Sequence, residues 1–229
     1  MNKYIKFCII LLVLITIIYL YNTYFNNNLL SRKNIEKNLE KISTNIIQNN
    51  TTKIFIIDNY LTHNECNNII NELKDILVPS PLTRPQYKFR TSKTAYFTNT
   101  TNQNNIDQKI LSTMKTNNKY GEITQLQYYD IGDEFKAHCD WFDSKLDKEF
   151  YDKGQRTWTF MIYLNNVIDG GETQFTKLNK SIKPKKGRAV IWYNLNDDNS
   201  PNYDTMHSGT PIISGEKYII TKWFKFDKN

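Results

Sequence analysis

Residues 157–165 read TWTFMIYLN, and this stretch decides the fold class. Its side chains alternate strictly: Trp158, Phe160, Ile162 and Leu164 face one way, and Thr157, Thr159, Met161 and Tyr163 face the other. A period of two is the signature of a β-strand. Residues 53–57, 188–193 and 217–226 read as further strands, and Asp169-Gly170-Gly171 as a turn. Upstream the pattern is helical. Thr62 and Glu65 have the spacing of a capping box, which predicts a helix over 64–77 that stops before Pro79 and Pro81. Helices first and many short strands after them predict an α+β protein built around a β-sandwich or barrel.

The 229 residues suit one globular domain with a small appendage. The net charge of +7 invites a nucleic-acid reading. Its distribution argues against one. Residues 1–50 hold Lys3, Lys6, Arg32, Lys33, Lys37 and Lys41 against only Glu36 and Glu40, so more than half of the excess lies there. Lysine outnumbers arginine 25 to 5, beside 29 Asn and 28 Ile. That bias follows from an A+T-rich coding genome, such as a protist's or a large DNA virus's, and no nucleic-acid partner is expected. With Cys8, Cys66 and Cys139 as the three cysteines, no disulfide framework is expected either.

Residues 7–21 (FCIILLVLITIIYLY) carry no charge, Pro or Gly. With Ile5 and a snorkelling Lys6 they reach the short end of a membrane span, and Tyr19, Tyr21, Tyr24 and Phe25 suit an interfacial belt. A cleaved signal peptide is the alternative, but no small-x-small site follows. The expectation is a signal anchor over residues 1–25, single-pass and type II, with the C-terminal domain lumenal or external. A stalk is expected over 26–50, because Ile35, Leu39, Ile42 and Ile46 share one helix face. That helix either lies on the domain or forms a short dimerising coil. The domain proper is expected over 51–229.

The chemistry centres on two of the three histidines. His138-Cys139-Asp140 on a strand or strand end sends His138 and Asp140 to the same side and Cys139 to the other. His207 follows 69 residues later. Two imidazoles and one carboxylate form the facial triad that holds non-haem Fe(II) and leaves positions open for co-substrate and oxygen; Zn would accept the same donors. Ten residues beyond His207, Lys217 shares a strand face with Ile219, Thr221 and Trp223. A lysine aimed at an apolar interior needs an anion, which a metal-chelating dicarboxylate would supply; the bland reading is a lysine snorkelling at a barrel mouth.

With these residues in place, the sequence resembles the prolyl 4-hydroxylase family of 2-oxoglutarate- and Fe(II)-dependent dioxygenases. Six blocks match in family order between about residues 53 and 226. They are FIIDNYLTHNEC, RTS at 90–92, QYYDIGDEFKAHCDWF, RTWTFMIYLNNVIDGGETQF, IKPKKGRAVIWYNL and HSGTPIISGEKYIITKWF. The resemblance implies a double-stranded β-helix, or jelly roll, with N-terminal helices packed outside. It implies His138, Asp140 and His207 as iron ligands, and Lys217 and Tyr129 as partners of the distal carboxylate of 2-oxoglutarate. Thr173 would line the same pocket, and Arg90 and Arg156 would lie near the peptide. Related lysyl hydroxylases and nucleic-acid demethylases place an arginine where Lys217 stands, so the lysine favours the prolyl branch.

The implied reaction couples decarboxylation of 2-oxoglutarate to succinate and CO2 with hydroxylation of peptidyl proline at C4. It consumes O2, and L-ascorbate restores the iron after uncoupled turnover. The competing readings are the same chemistry on another residue or a small molecule, and a catalytically silent, membrane-anchored binding domain. A proline-containing peptide or protein is the expected partner.

Overall fold

A computed structural model of the chain describes residues 4, 7, 9–19, 32–81, 90–98 and 101–225, the side chains of 101–104 excepted. Among the described residues the strands are β1 (Asn45–Gln48), β2 (Lys53–Ile57), β3 (Val78–Pro79), β4 (Lys93–Tyr96), β5 (Gln125–Tyr129), β6 (Phe135–His138) and β7 (Arg156–Tyr163). Then follow β8 (Asp169–Gly170), β9 (Thr173–Phe175), β10 (Lys180–Ile182), β11 (Ala189–Tyr193), β12 (His207–Gly209), β13 (Ile212–Ser214) and β14 (Lys217–Lys225). Eight strands form one antiparallel sheet in the order β1-β2-β11-β7-β14-β5-β4-β3. Four form a second, β10-β9-β12-β6, and β8 pairs with β13 alone. Neighbours in space are mostly distant in sequence. This is the two-sheet antiparallel arrangement expected of a jelly roll.

The alternation of β7 separates two cores. Trp158, Phe160, Ile162 and Leu164 point to the outer face of the large sheet, where they pack with Phe55, Ile191, Ile220 and the helices. Met161 and Tyr163 point inward and meet Ile54, Val190, Trp192, Ile219 and Tyr129, with Phe175 and Ile182 from the smaller sheet. The outer face needs helices because it is too apolar to meet water. The helix α1 (Arg32–Ile42) contributes Ile35 and Leu39, α2 (His63–Leu73) contributes Cys66, Ile69 and Leu73, and α3 (Thr101–Thr113) contributes Ile106, Ile110 and Leu111.

The predicted capping box is present. Glu65 N–H donates to Thr62 Oγ1, and Glu65 Oε2 accepts from the Thr62 N–H at 2.6 Å. The helix is shorter than expected: α2 gives way to a 3-10 turn at Lys74–Ile76 and then to β3, which pairs with β4. Of the two readings of the helix within 26–50, its described part fits the one in which it lies on the domain. Ile35 and Leu39 are fully buried, so α1 lies on the domain. Residues 45–48 leave the helix and pair with β2 as an edge strand, Asn45 opposite Ile56 and Gln48 opposite Lys53. The domain therefore begins by residue 32. Backbone pairing to β2 satisfies four residues that helix periodicity alone had kept helical.

Residues 9–19 are helical and their side chains are exposed. Among the described residues, no helix is long and apolar enough to cross a membrane. Tyr21, Tyr24 and Phe25 lie outside the described residues, as do 82–89 and 99–100.

Candidate metal centre and co-substrate pocket

His138 ends β6 and His207 begins β12, and the register of the two strands sets them directly opposite one another. Their rings lie 4.3 Å apart between centroids. Asp140, two residues past His138, reaches the same place: its Oδ1 is 3.8 Å from His138 Nε2 and its Oδ2 is 3.9 Å from His207 Nε2. One ligand atom from each of these three residues lies within 4.8 Å of the others, spacing that could hold a metal ion. Cys139 is not among them. Its thiol is pushed up to about 12, by burial first and then by the Asp140 carboxylate, so it stays protonated and inert.

The donors are prepared for a cation. His138 Nδ1 lies 2.8 Å from Lys136 O, and His207 Nδ1 lies 2.9 Å from Thr205 O. Carbonyls accept, so both Nδ1 atoms carry the proton and both Nε2 lone pairs face Asp140. Burial, and then the neighbouring His207, holds His138 well below the ordinary imidazole range. Burial pushes Asp140 up, but His207, His138 and Arg156 outweigh it and leave the carboxyl below its usual value. A neutral His138 imidazole beside an ionised Asp140 carboxylate suits the binding of a divalent metal. Phe135 stacks on the His138 ring at 3.5 Å, and Trp192 meets His207 edge-on at 4.8 Å, fixing both ring planes.

The triad opens into a cleft of about 420 Å³ between the two sheets. Lys217 stands at the inner end of the cleft, 2% exposed, directly across the β5–β14 ladder from Tyr129. Its Nζ donates to Gly171 O at 3.0 Å and lies 4.3 Å from the centre of the Tyr129 ring. No carboxylate forms a salt bridge with it among the described residues. Burial pushes its amine down to about 7, with Glu172 acting weakly against this. A buried ammonium with one backbone acceptor is short of an anion. The site thus offers three metal donors and, in the same cleft, a cation for a carboxylate, which fits a dicarboxylate chelating at its other end. Gly170 and Gly171 shape that end. Gly170 has φ +79°, and a Cβ there would stand 2.2 Å from Pro211 O.

The remaining predicted residues divide. Tyr129 and Thr173 line the cleft, Tyr129 donating to Gln127 Oε1 at 3.3 Å and Thr173 receiving the Tyr163 hydroxyl at 2.6 Å. Arg90 donates to Ser92 and Thr94 hydroxyls and lies over Phe135, with no carboxylate partner among the described residues. Arg156 is already committed. Its fork closes on Glu122 with two 2.7 Å bonds, and its plane covers Trp223 at 3.8 Å. Sequence reasoning placed Thr159 on the face of β7 opposite Trp158, without a role, and it missed Asn194. Thr159 donates to Asp140 Oδ2 at 2.6 Å and accepts from Asn194 Nδ2 at 2.9 Å. The period-two pattern could have flagged Thr159; nothing local marks Asn194.

The 2OG-Fe(II) oxygenase superfamily profile matches residues 124–225, which hold the triad and Lys217. The chain is 28% identical to prolyl 4-hydroxylase 2 of Arabidopsis thaliana, covering 76% of this chain and 68% of that one. It is 34% identical to prolyl 4-hydroxylase subunit alpha-3 of Mus musculus, covering 60% of this chain and 26% of the subunit. It thus spans about two thirds of the plant relative and about a quarter of the animal subunit. Among solved structures it resembles the viral collagen prolyl hydroxylase of Paramecium bursaria Chlorella virus-1 in complex with 2OG. The TM-score is 0.62 at 27% identity, covering 76% of this chain and 96% of that one.

Proposed function

We propose that the chain is a member of the prolyl 4-hydroxylase family of 2-oxoglutarate- and Fe(II)-dependent oxygenases, to which its similarity points, and that it hydroxylates peptidyl proline at C4. One observation carries the reading: a buried, carboxylate-free Lys217 shares a cleft with the His138–Asp140–His207 cluster. When bound, Fe(II) and 2-oxoglutarate supply the oxidising chemistry, releasing succinate and CO2 as one atom of O2 enters the substrate.

The protein holds and orients. His138 and His207 offer Nε2, and Asp140 offers one oxygen. Lys217 binds the distal carboxylate as a point charge, and the Tyr129 hydroxyl turns from Gln127 to the same group. Met161, Ile219, Trp192 and Trp223 line the cleft and keep water from the reacting atoms. Arg90 keeps spare donors for the peptide. Arg156, neutralised by Glu122, holds the Trp223 ring in place against which the peptide lies. L-ascorbate serves as the reductant after uncoupled turnover.

Residues 1–25 act as a single-pass anchor that leaves the domain on the lumenal or external side. The exposed apolar side chains of residues 9–19 support this. Resistance to alkaline extraction from membranes, and loss of it in a chain lacking residues 1–25, checks the anchor.

The activity test uses the full-length chain with Fe(II), 2-oxoglutarate and a proline-rich peptide. The expected result is succinate release and a peptide heavier by one oxygen atom. Succinate no higher than in a His138→Ala control overturns the reading.

A further inference from the structure

The three donors of the metal cluster are not held alike. Each histidine is fixed by a backbone carbonyl two residues before it, which no side-chain substitution removes. Asp140 depends on side chains. Its Oδ2 receives the Thr159 hydroxyl at 2.6 Å, and Thr159 Oγ1 receives Asn194 Nδ2 at 2.9 Å. All three residues are at least nine-tenths buried.

The direction of this chain is set by chemistry. An ionised carboxylate only accepts, so Thr159 must spend its one proton on Asp140. Its oxygen must then accept, and the Asn194 NH2 is the donor that reaches it. The Asn194 backbone is itself fixed, its N–H donating to Thr157 O at 2.7 Å and its carbonyl accepting from Asn202 N–H at 3.1 Å. The amide pays for its orientation. Asn194 Oδ1 is buried with no hydrogen-bond partner among the described residues. A buried amide left half-satisfied is a poor stabilising element, so its use lies in pointing NH2 at Thr159.

We propose that Asn194 and Thr159 form a relay that occupies Asp140 Oδ2 and restricts the carboxylate to single-oxygen ligation through Oδ1. Both are positioning residues. With one donor atom from each of the three residues, a six-coordinate metal would keep three positions, two for a chelating 2-oxo acid and one for oxygen. A carboxylate free to swing and bind through both oxygens would take one of them.

This rests on the metal-centre reading, and Mn(II) as a redox-silent probe separates the two. Calorimetric titration of the full-length chain measures Mn(II) affinity, then 2-oxoglutarate affinity of the Mn(II)-loaded protein. Thr159→Val keeps the shape and removes the donor; it is expected to weaken one or both by about tenfold or more. Thr159→Ser keeps the hydroxyl and restores both. Asn194→Asp keeps the shape but presents acceptors that draw the Thr159 proton away from Asp140, so it is expected to behave like Thr159→Val. Melting of the metal-free protein should not track these losses. Both affinities within about twofold of the parent in Thr159→Val, or in Asn194→Asp, overturn the relay. No Mn(II) binding by the parent protein overturns the centre itself, and the relay with it.

Discussion

Strand β14 buries two lysines on opposite faces, and their partners predict opposite behaviour. Lys222 faces outward, where Asp107 Oδ1 at 3.1 Å, Glu122 O at 3.0 Å and Thr124 Oγ1 at 3.3 Å surround its ammonium. Lys222→Ala strands Asp107 and is expected to cost roughly 3 kcal/mol or more in denaturant unfolding, without changing the 2-oxoglutarate requirement of the folded protein. Lys217 has no such partner. Lys217→Ala is expected to raise the 2-oxoglutarate concentration needed for succinate release while leaving Mn(II) affinity intact. Lost metal affinity at unchanged co-substrate demand would show that the lysine has another role. Its titration adds a pH test. Burial lowers the native Lys217 amine from 10.5 to about 7, so between those values the unfolded chain holds the extra proton. Ligand-free stability should therefore gain from this group as pH rises through that window. Binding of 2-oxoglutarate needs the ammonium. It should weaken above about pH 7 and take up a proton, read by calorimetry in buffers of different ionisation heat.

At the scale of elements, α1 and β1 extend the domain beyond its expected start. Leu39, on α1, is fully buried against the domain, so Leu39→Ala is expected to cost about 2–5 kcal/mol, measured as a shift in unfolding midpoint. Arg32 ties the start of α1 to Asp197 at 2.6 Å, and Lys53 on β2 reaches Glu40 on α1 at 2.8 Å. A helix merely tethering a membrane would show none of this. The sequence hid the strand because Ile42 and Ile46 continue a helical spacing, whereas β1 exists through its pairing with β2. Thr62 and Glu65 were legible because a capping box is complete within four residues. Gly170 was visible only as a turn. Its φ of +79° and the 2.2 Å approach a Cβ would make to Pro211 O are facts of the β8–β13 pairing. Gly170→Ala is expected to cost more than about 1 kcal/mol and to disturb the Gly171 carbonyl that holds Lys217, seen as lower stability and weaker 2-oxoglutarate binding.

At the scale of the whole molecule, the charge divides as the chain does: the larger share of the +7 sits in residues 1–50, around the apolar run and α1. Inside the domain the ionic groups are local. Asp58 gathers Arg188 and Lys185, Glu122 gathers Arg156 and Lys225, and Asp107 holds Lys222. Removing residues 1–25 is therefore expected to release the chain from membranes without loss of succinate release. The sequence by itself determined what short-range physics sets: the alternation of β7, the cap of α2, the common side of His138 and Asp140, and the inward face of Lys217. The residue pattern also offered His207 as the third donor, and family resemblance added Tyr129. Only the tertiary structure decided how they meet. The β6–β12 register brings His207 beside His138, the β5–β14 ladder sets Tyr129 against Lys217, and β7 and the end of β11 deliver Thr159 and Asn194 to Asp140. It also closed Arg156 on Glu122. The reason is range: alternation and capping are satisfied within a few residues, whereas a strand register is fixed by the packing of both cores at once, which no single window of sequence contains.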